Sequence, residues 1–485
     1  MIFKKIYDII YIIKEKEVKC LRFENHAHSM FSNFRLLDSI NKPQDLIDKA
    51  IEFGMTGIAL TDHETIAGIP EFFEYAELIR KDYPNFKVAA GNEIYLTNSR
   101  ESNQRYYHFI LIAKNRDGWE ALKELSSESW MQSYYDRGME RVPTLYKELE
   151  NILKKYPSSL IGTTACLAGE LSTTTLELIE AERLGNAEGA ATAHKHIVSF
   201  LLWCKEIFKD DFFIECAPGC SKDQIAVNQR LLSIAKAFDL KMVVGSDAHY
   251  LRPENAYAHE AYLNSKNGER EVKEFYEYAY LQTDEEIIEH LKKSNYDETY
   301  VRQMFENSVE LSNKIEIYSI WHNQTIPSVE VKDYPKIKIN LSYPHLKQMF
   351  ESDDKYDRYW VNQCFEKLEE KNLNSPQYLE RLEEEAETKK FVGDKLGTNL
   401  FKYPIVLQHY IDMFWELGSS IGAGRGSSCA GLNHYLLGIT QLDPIKWNFP
   451  WFRYLNKERV ELPSLRLILG SIKKVNCANR CRVYG

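Results

Sequence analysis

The chain has 485 residues, 44% of them hydrophobic and 27% charged, which is an ordinary globular composition and not that of a disordered or fibrous protein. Its formal net charge of −10 gives no general attraction for polyanions, so any nucleic-acid contact must come from a local basic groove. Nine cysteines without a regular framework fit a reduced, cytoplasmic compartment better than a secreted disulfide scaffold.

The first twenty residues, MIFKKIYDIIYIIKEKEVKC, hold an apolar run from Ile9 to Ile13 flanked by charges. That run is too short to span a bilayer and lacks a small-residue cleavage site, so residues 1–20 are expected to be a leader and not a membrane anchor. From Leu21 to about Gln282, short apolar runs alternate with amphipathic helical stretches. NKPQDLIDKAIEFGM places Leu46, Ile47, Ala50 and Ile51 on one helical face, with Pro43 at the start and Gly54 at the end. TGIALTD then reads as a buried strand, and the rhythm recurs at FKVAAGNE, SSLIGTTAC, DFFIECAPG and LKMVVGSDAH. Strands alternating with helices predict an α/β fold with parallel strands, and barrels of that kind carry their chemistry at the carboxyl ends of the strands.

The residues at those ends are His63, Glu93, Cys166, Asp247 and His249. His26 and His28, one residue apart, project to the same face if the backbone is extended. With Asp38 they make a set of imidazole, carboxylate and thiolate donors suited to zinc, manganese or iron. Two or three such ions acidify water and neutralise phosphoryl oxygens, so phosphoester hydrolysis is the expected chemistry. Each residue alone has a structural explanation; the recurrence at successive strand ends is what carries the reading. A second His-x-His, His194 and His196, lies in a helical context where the two rings diverge, and it is assigned to surface or structure. Cys216 and Cys220 lack two further ligands and are also assigned to structure.

Beyond Gln282 the pattern turns helical, with a boundary expected near residue 283. Residues 283–345 read as helices leading into a polar, proline-spaced linker, residues 346–463 as a helical, charge-rich segment, and residues 464–485 as a basic tail. In IGAGRGSSCAGLNHYLLGITQLDP, glycines 422, 424 and 426 with Arg425 and Ser427 bare backbone amides beside a guanidinium, a cradle for phosphate.

HAHSMFS, ALTDH, GNE, YYHFILIAKN, TTACLAGE and VVGSDAHY, in that order, resemble the PHP domain that opens bacterial and phage replicative DNA polymerase III alpha subunits, the C family. The resemblance covers roughly residues 22 to 463 and implies a distorted seven-stranded (β/α)7 barrel followed by a partial α+β palm, which would start within 283–345 and continue through 346–463. It implies up to three metal ions held by His26, His28, Asp38, His63, Glu93, His108, Cys166, Asp247 and His249; His108 enters only through it. An intact ligand set goes in this family with 3′–5′ exonuclease activity. The glycine-rich segment resembles the family's nucleotide-contacting motif, which implies Gly424, Arg425, Gly426 and Ser427 as contacts. The family's Asp-x-Asp pair, which binds magnesium for nucleotide transfer, is replaced here by Ser464 and Arg466. A DNA replication protein is therefore expected. Its barrel hydrolyses the 3′ end of DNA, its polymerase centre is incomplete unless a second chain completes it, its partners are DNA and replisome components, and no membrane is involved. Two alternatives are a small-molecule phosphatase of the histidinol-phosphate type and a non-catalytic scaffold paired with a separate polymerase fragment.

Overall fold

The computed structural model describes residues 22–34, 36–265, 276–322 and 325–462. Seven strands form the barrel wall of the first unit: β1 (Phe23–Glu24), β2 (Gly57–Leu60), β3 (Lys87–Thr97), β4 (Tyr107–Ala113), β5 (Leu160–Thr163), β6 (Phe212–Cys216) and β7 (Met242–Val244); a short strand Thr144–Leu145 adds to β3, and Tyr134–Asp136 pairs with Met139–Arg141 in a separate ribbon. They pair in chain order, β1-β2-β3-β4-β5-β6-β7. Registers run Phe23 to Gly57, Ile58 to Val88, Ile112 to Ile161, Gly162 to Phe212 and Val243 to Glu215. The sheet closes into a barrel through one parallel bridge, Ala27 to Ala248, where His28 N donates to Ala248 O at 3.0 Å and Ala248 N to His26 O at 3.3 Å.

All neighbours are parallel except at β4, which runs antiparallel to both β3 and β5. The all-parallel expectation fails there because only a short loop joins β3 to β4, too short for the crossover that parallel strands need. β2 is buried on both faces, the pattern of a parallel strand covered by helices. Gly57 is required at its start, since a Cβ there would lie 2.2 Å from the Lys87 carbonyl oxygen.

Alternate strand residues fill the barrel: Ala59, Ala89, Ile110, Ile112, Ile161, Phe213 and Val243 form one buried cluster. Their neighbours Leu60, Ala90, Phe109, Leu111 and Val244 point outward into the larger core. The cover is made by α1 (Pro43–Glu52), α2 (Ile69–Ile79), α3 (Arg116–Met131), α4 (Tyr146–Lys155), α5 (Glu170–Arg183), α6 (Ala187–Phe208) and α7 (Lys222–Phe238). A short α8 (Ala256–Leu263) follows β7, then α9 (Asp284–Lys292) and α10 (Glu298–Asn313). Leu311 of α10 and Ile315 just beyond it plug the end of the barrel interior. The first unit accordingly runs through Ile320, past the boundary expected near 283.

The second unit is helical: α11 (Pro344–Glu351), α12 (Lys355–Glu370), α13 (Pro376–Leu396), α14 (Lys402–Glu416) and a short α15 (Leu432–Leu436) surround Leu346, Trp360, Val361, Leu382, Phe401 and Ile411. Gly397 ends α13 in the left-handed conformation, as a helix C-terminus favours. The α+β palm expected here has no strand among the described residues. Val329 and Val331 pack on the helical core in an extended segment, but Pro327 and Pro335 interrupt it and no strand pairs with it. The tail 464–485, with Ser464, Arg466, Cys477 and Cys481, lies outside the described residues, as does the leader 1–20.

Candidate metal centre

The barrel closes at the place where the candidate ligands collect. His26 and His28 follow β1 and flank Ala27, while Asp247 and His249 follow β7 and flank Ala248; the Ala27–Ala248 bridge thus brings four donors to one seam. His63 follows β2 and bridges to Glu93. Glu93 lies within β3, which continues through Thr97 instead of ending before it. His108 stands near the start of β4 and Cys166 follows β5. Because β4 is antiparallel, its beginning shares a rim with the ends of its neighbours. A search of strand ends alone misses His108 for that reason.

All nine side chains meet in one nest. His26 Nε2 and His28 Nε2 are 2.9 Å apart, and each is 3.2 Å from Asp247 Oδ1. Glu93 sits between them and the next pair, with Oε1 3.4 Å from His26 and 3.0 Å from His108 Nδ1, and Oε2 2.5 Å from His63 Nδ1. Asp38 Oδ2 lies 2.8 Å from His63 Nε2 and 2.9 Å from His249 Nε2. Cys166 Sγ is 3.6 Å from His108 Nδ1 and 4.0 Å from Glu93 Oε1. Three groups have donor atoms close enough to share an ion: His28, Asp38, His63 and His249; His26, His28 and Glu93; His63, Glu93 and His108.

The electrostatics are those of a site built for cations. Asp38 Oδ2, Glu93 Oε2 and Asp247 Oδ1 are buried and accept no well-aligned hydrogen bond, although imidazole nitrogens stand close to each. Burial pulls His28 down to about 3, aided by the His63 and His249 rings stacked 4.2 and 4.4 Å away. Burial also opposes charge on His63, yet the Glu93 and Asp38 carboxylates push it up to about 10. Burial holds the Cys166 thiol well above its ordinary range, and a thiol so placed needs a neighbouring cation to become a thiolate ligand. The backbone is strained at the same place: Asp247 has φ +48° and Ala165, beside Cys166, has φ +56°.

Several residues that support the nest carry no signal in a strand-end search. Glu215 of β6 takes His26 Nδ1 at 2.5 Å, and its other oxygen accepts from Thr163 Oγ1 at 2.7 Å and Asn25 Nδ2 at 3.0 Å. This fixes the His26 ring with Nε2 toward the nest, the usual second contact of a ligating histidine. Gly245 is needed here, because a Cβ would stand 2.3 Å from Glu215 Oε1. Tyr276 donates to Asp38 Oδ1 at 2.5 Å. Asp62 accepts from Ser29 N, Ser29 Oγ and Ser32 Oγ, and burial raises it to about 6.

The nest opens into a cavity of about 260 Å³ whose wall includes Tyr95, His108, Arg141, Cys166 and Tyr276. Arg141 has no carboxylate within ion-pair distance among the described residues; its Nε is buried without a partner, and its guanidinium lies 5.3 Å from the Tyr106 ring. A larger cavity, about 900 Å³, lies in the second unit between 344–357 and 389–401. Its carboxylates Asp354 and Asp357 are already bound by Asn399 Nδ2 at 2.8 and 2.7 Å, so it offers no convergent donor set.

The glycine-rich segment forms a tight turn, with Gly424 at φ +142° and Gly426 at φ +65°. Arg425 is exposed, Ser428 Oγ donates to Arg425 O at 2.6 Å, and Ser428 O meets His434 Nδ1 at 2.8 Å. Among the helical histidines, His196 bonds Glu170 Oε1 at 2.6 Å and His194 is exposed; neither approaches the nest. Cys216 and Cys220 are free thiols.

Comparison with known proteins agrees with both regions. Residues 24–218 match the PHP domain, and residues 355–468 match the bacterial DNA polymerase III alpha NTPase domain. The chain is 36% identical over 470 residues to the DNA-directed DNA polymerase of Bacillus phage SPbeta, covering 91% of this chain and 36% of that one. It is 29% identical over 462 residues to the DNA polymerase III subunit alpha of Campylobacter jejuni (91% and 35%), and 28% identical over 463 residues to that of Helicobacter pylori strain 26695 (91% and 34%). The chain thus spans about a third of the length of the curated relatives it matches. No helix among the described residues is long and apolar enough to cross a membrane.

Proposed function

The chain carries a PHP domain followed by a segment of the DNA polymerase III alpha type, and on that footing we propose that its barrel removes nucleotides from the 3′ end of DNA. The observation that carries the proposal is the overlap of three ligand groups through His28, His63 and Glu93, at the floor of a cavity that Asp38, His63, His108 and His249 line. Three buried carboxylate oxygens without hydrogen bonds fit divalent cations. In this reading His26, His28, Asp38, His63, Glu93, His108, Cys166, Asp247 and His249 hold two or three ions of zinc, manganese or iron. When bound, these supply Lewis acidity and a water acidic enough to attack phosphorus at neutral pH.

The chain's own groups complete the site. Arg141, unpaired at the cavity wall, presents a planar fork that matches two phosphoryl oxygens. Tyr276 holds Asp38 and Glu215 holds His26, so neither ligand has to be ordered when substrate arrives. In the second unit, Gly424, Arg425, Gly426 and Ser427 would contact a triphosphate. Nucleotide incorporation would then depend on magnesium and on carboxylates from a second chain, in the company of replisome components in the cytoplasm.

The test is a 5′-labelled single-stranded oligonucleotide incubated with the purified chain and manganese or zinc. A ladder shortened from the 3′ end, absent with His63→Ala, is expected. Hydrolysis confined to small phosphorylated metabolites, or unaffected by His63→Ala, would overturn the proposal.

A further inference from the structure

A second cavity, about 420 Å³, lies on the other side of β4 from the nest. Adjacent residues of a strand face opposite ways, so His108 lines the metal cavity and Tyr107 lines this one. The two cavities also share the turn after β5: Cys166 belongs to the first, and Glu170, which begins α5, to the second, with Gly169 between them bridged to His108. At the centre of the second cavity Glu170 is only 6% exposed. One of its oxygens accepts from the Tyr146 hydroxyl and the other meets His196 Nε2 at 2.6 Å.

That clamp fixes two groups at the cavity wall. The His196 ring is held by Nε2, and its Nδ1 makes no hydrogen bond among the described residues. Tyr146 stands edge-on to Trp203 at 5.1 Å between ring centres, and Trp203 is locked by its own Nε1 bond to Glu150 at 2.9 Å. The result is a rigid aromatic corner rimmed by the Gln104 amide, the Ser199 hydroxyl and His196 Nδ1, which offer donors and acceptors together. Phosphate is a poor fit, because Glu150 and Glu170 line the wall and Arg105 is paired with Glu177. A flat, neutral heterocycle with mixed hydrogen-bonding edges fits well.

We propose that this cavity is a nucleobase subsite, which receives one base of the strand whose 3′ end lies in the metal cavity. The inference rests on the DNA reading above and adds a residue-level device to it: Trp203 stacks the base, the Tyr146 ring, nearly perpendicular to Trp203, closes the corner against the base's side, and His196 and Gln104 read its edge. A base subsite apart from the metal cavity would make cleavage prefer a polymer over a mononucleotide.

The experiment is equilibrium binding of a short fluorescein-labelled oligodeoxythymidylate to the full chain in the presence of chelator, so that hydrolysis does not intervene. A single abasic residue is walked along the oligonucleotide. Base stacking on aromatic side chains sets the expected size, about tenfold weaker binding at one position for the native chain. The same abasic residue should make no further difference to Ser199→Trp, which fills the cavity, and a smaller one to His196→Ala, which keeps the aromatic corner but loses the edge contact, with thermal unfolding used to verify that both variants fold. An abasic walk without a sensitive position, or a loss of equal size in both variants, would overturn the subsite. Failure of metal-dependent hydrolysis with the abasic coupling intact would overturn the exonuclease reading and leave the subsite standing.

Discussion

Both units of this chain bury ionisable side chains, and they do so in opposite ways. In the second unit Glu385 is fully buried, but its oxygens accept from Leu432 N at 2.5 Å, Asn433 N at 3.0 Å and Asn433 Nδ2 at 2.5 Å. Lys389 beside it donates to Asn433 Oδ1 at 2.8 Å and lies 5.2 Å from the Trp360 ring. Apart from His434 Nε2, that network is satisfied from within, and it fixes the turn that follows the glycine-rich segment. In the barrel, Asp38, Glu93 and Asp247 each keep a buried oxygen without a hydrogen bond. Burial alone does not distinguish the two units; the convergence of three carboxylates and several imidazoles whose facing oxygens accept no well-aligned hydrogen bond does.

The comparison can be broken most decisively at His63, which belongs to two of the three ligand groups. His63→Ala should reduce hydrolysis of an oligonucleotide by at least about 10⁴-fold, roughly 5.5 kcal/mol, with the fold retained by circular dichroism. A loss under tenfold would mean that the nest is not where the chemistry happens. Next comes Glu385→Ala, which leaves Lys389 buried without its counter-charge. It should destabilise the chain by about 3–5 kcal/mol in urea unfolding and leave metal content unchanged.

Lys389 sharpens the contrast through pH. Burial lowers it to about 8 despite Glu385, against about 10.4 in an unfolded chain. Between those values the unfolded chain binds the extra proton, so stability should rise with pH across the window, by at most about 3 kcal/mol. Lys389→Met should flatten that rise; an unchanged slope would show that the amine is not the titrating group. The smallest effect is expected at Glu215→Gln, which keeps the His26 contact but weakens the ring's basicity. A loss of roughly 10–100-fold in metal affinity, without loss of the fold, is the expected result of isothermal titration.

Much of the first unit is legible in the sequence because its signals are local. GIALTD, SSLIGTTAC and LKMVVGSDAH announce β2, β5 and β7 with a candidate ligand just beyond each strand. Glu93 was harder to place, since the apolar run gives no warning that β3 continues to Thr97. His108 was invisible to the same argument because strand direction is not written in a periodicity. Glu215 and Arg141 were missed because a carboxylate within a strand and an arginine in a surface ribbon look like ordinary residues until the fold closes around them. A related limit applies to Leu311 and Ile315, which read as one more amphipathic helix and its exit, and nothing local says that they plug a barrel. In the second unit the helices follow from their pattern, whereas the expected strands needed partners that no described segment supplies.

The central claim, that nine side chains from distant segments form one cation site, is tested most directly by metal stoichiometry. Elemental analysis of the full chain, reconstituted with zinc or manganese and dialysed, should give at least two ions per chain in the native protein and fewer in Asp247→Ala. A native chain that retains no divalent metal after reconstitution would contradict it.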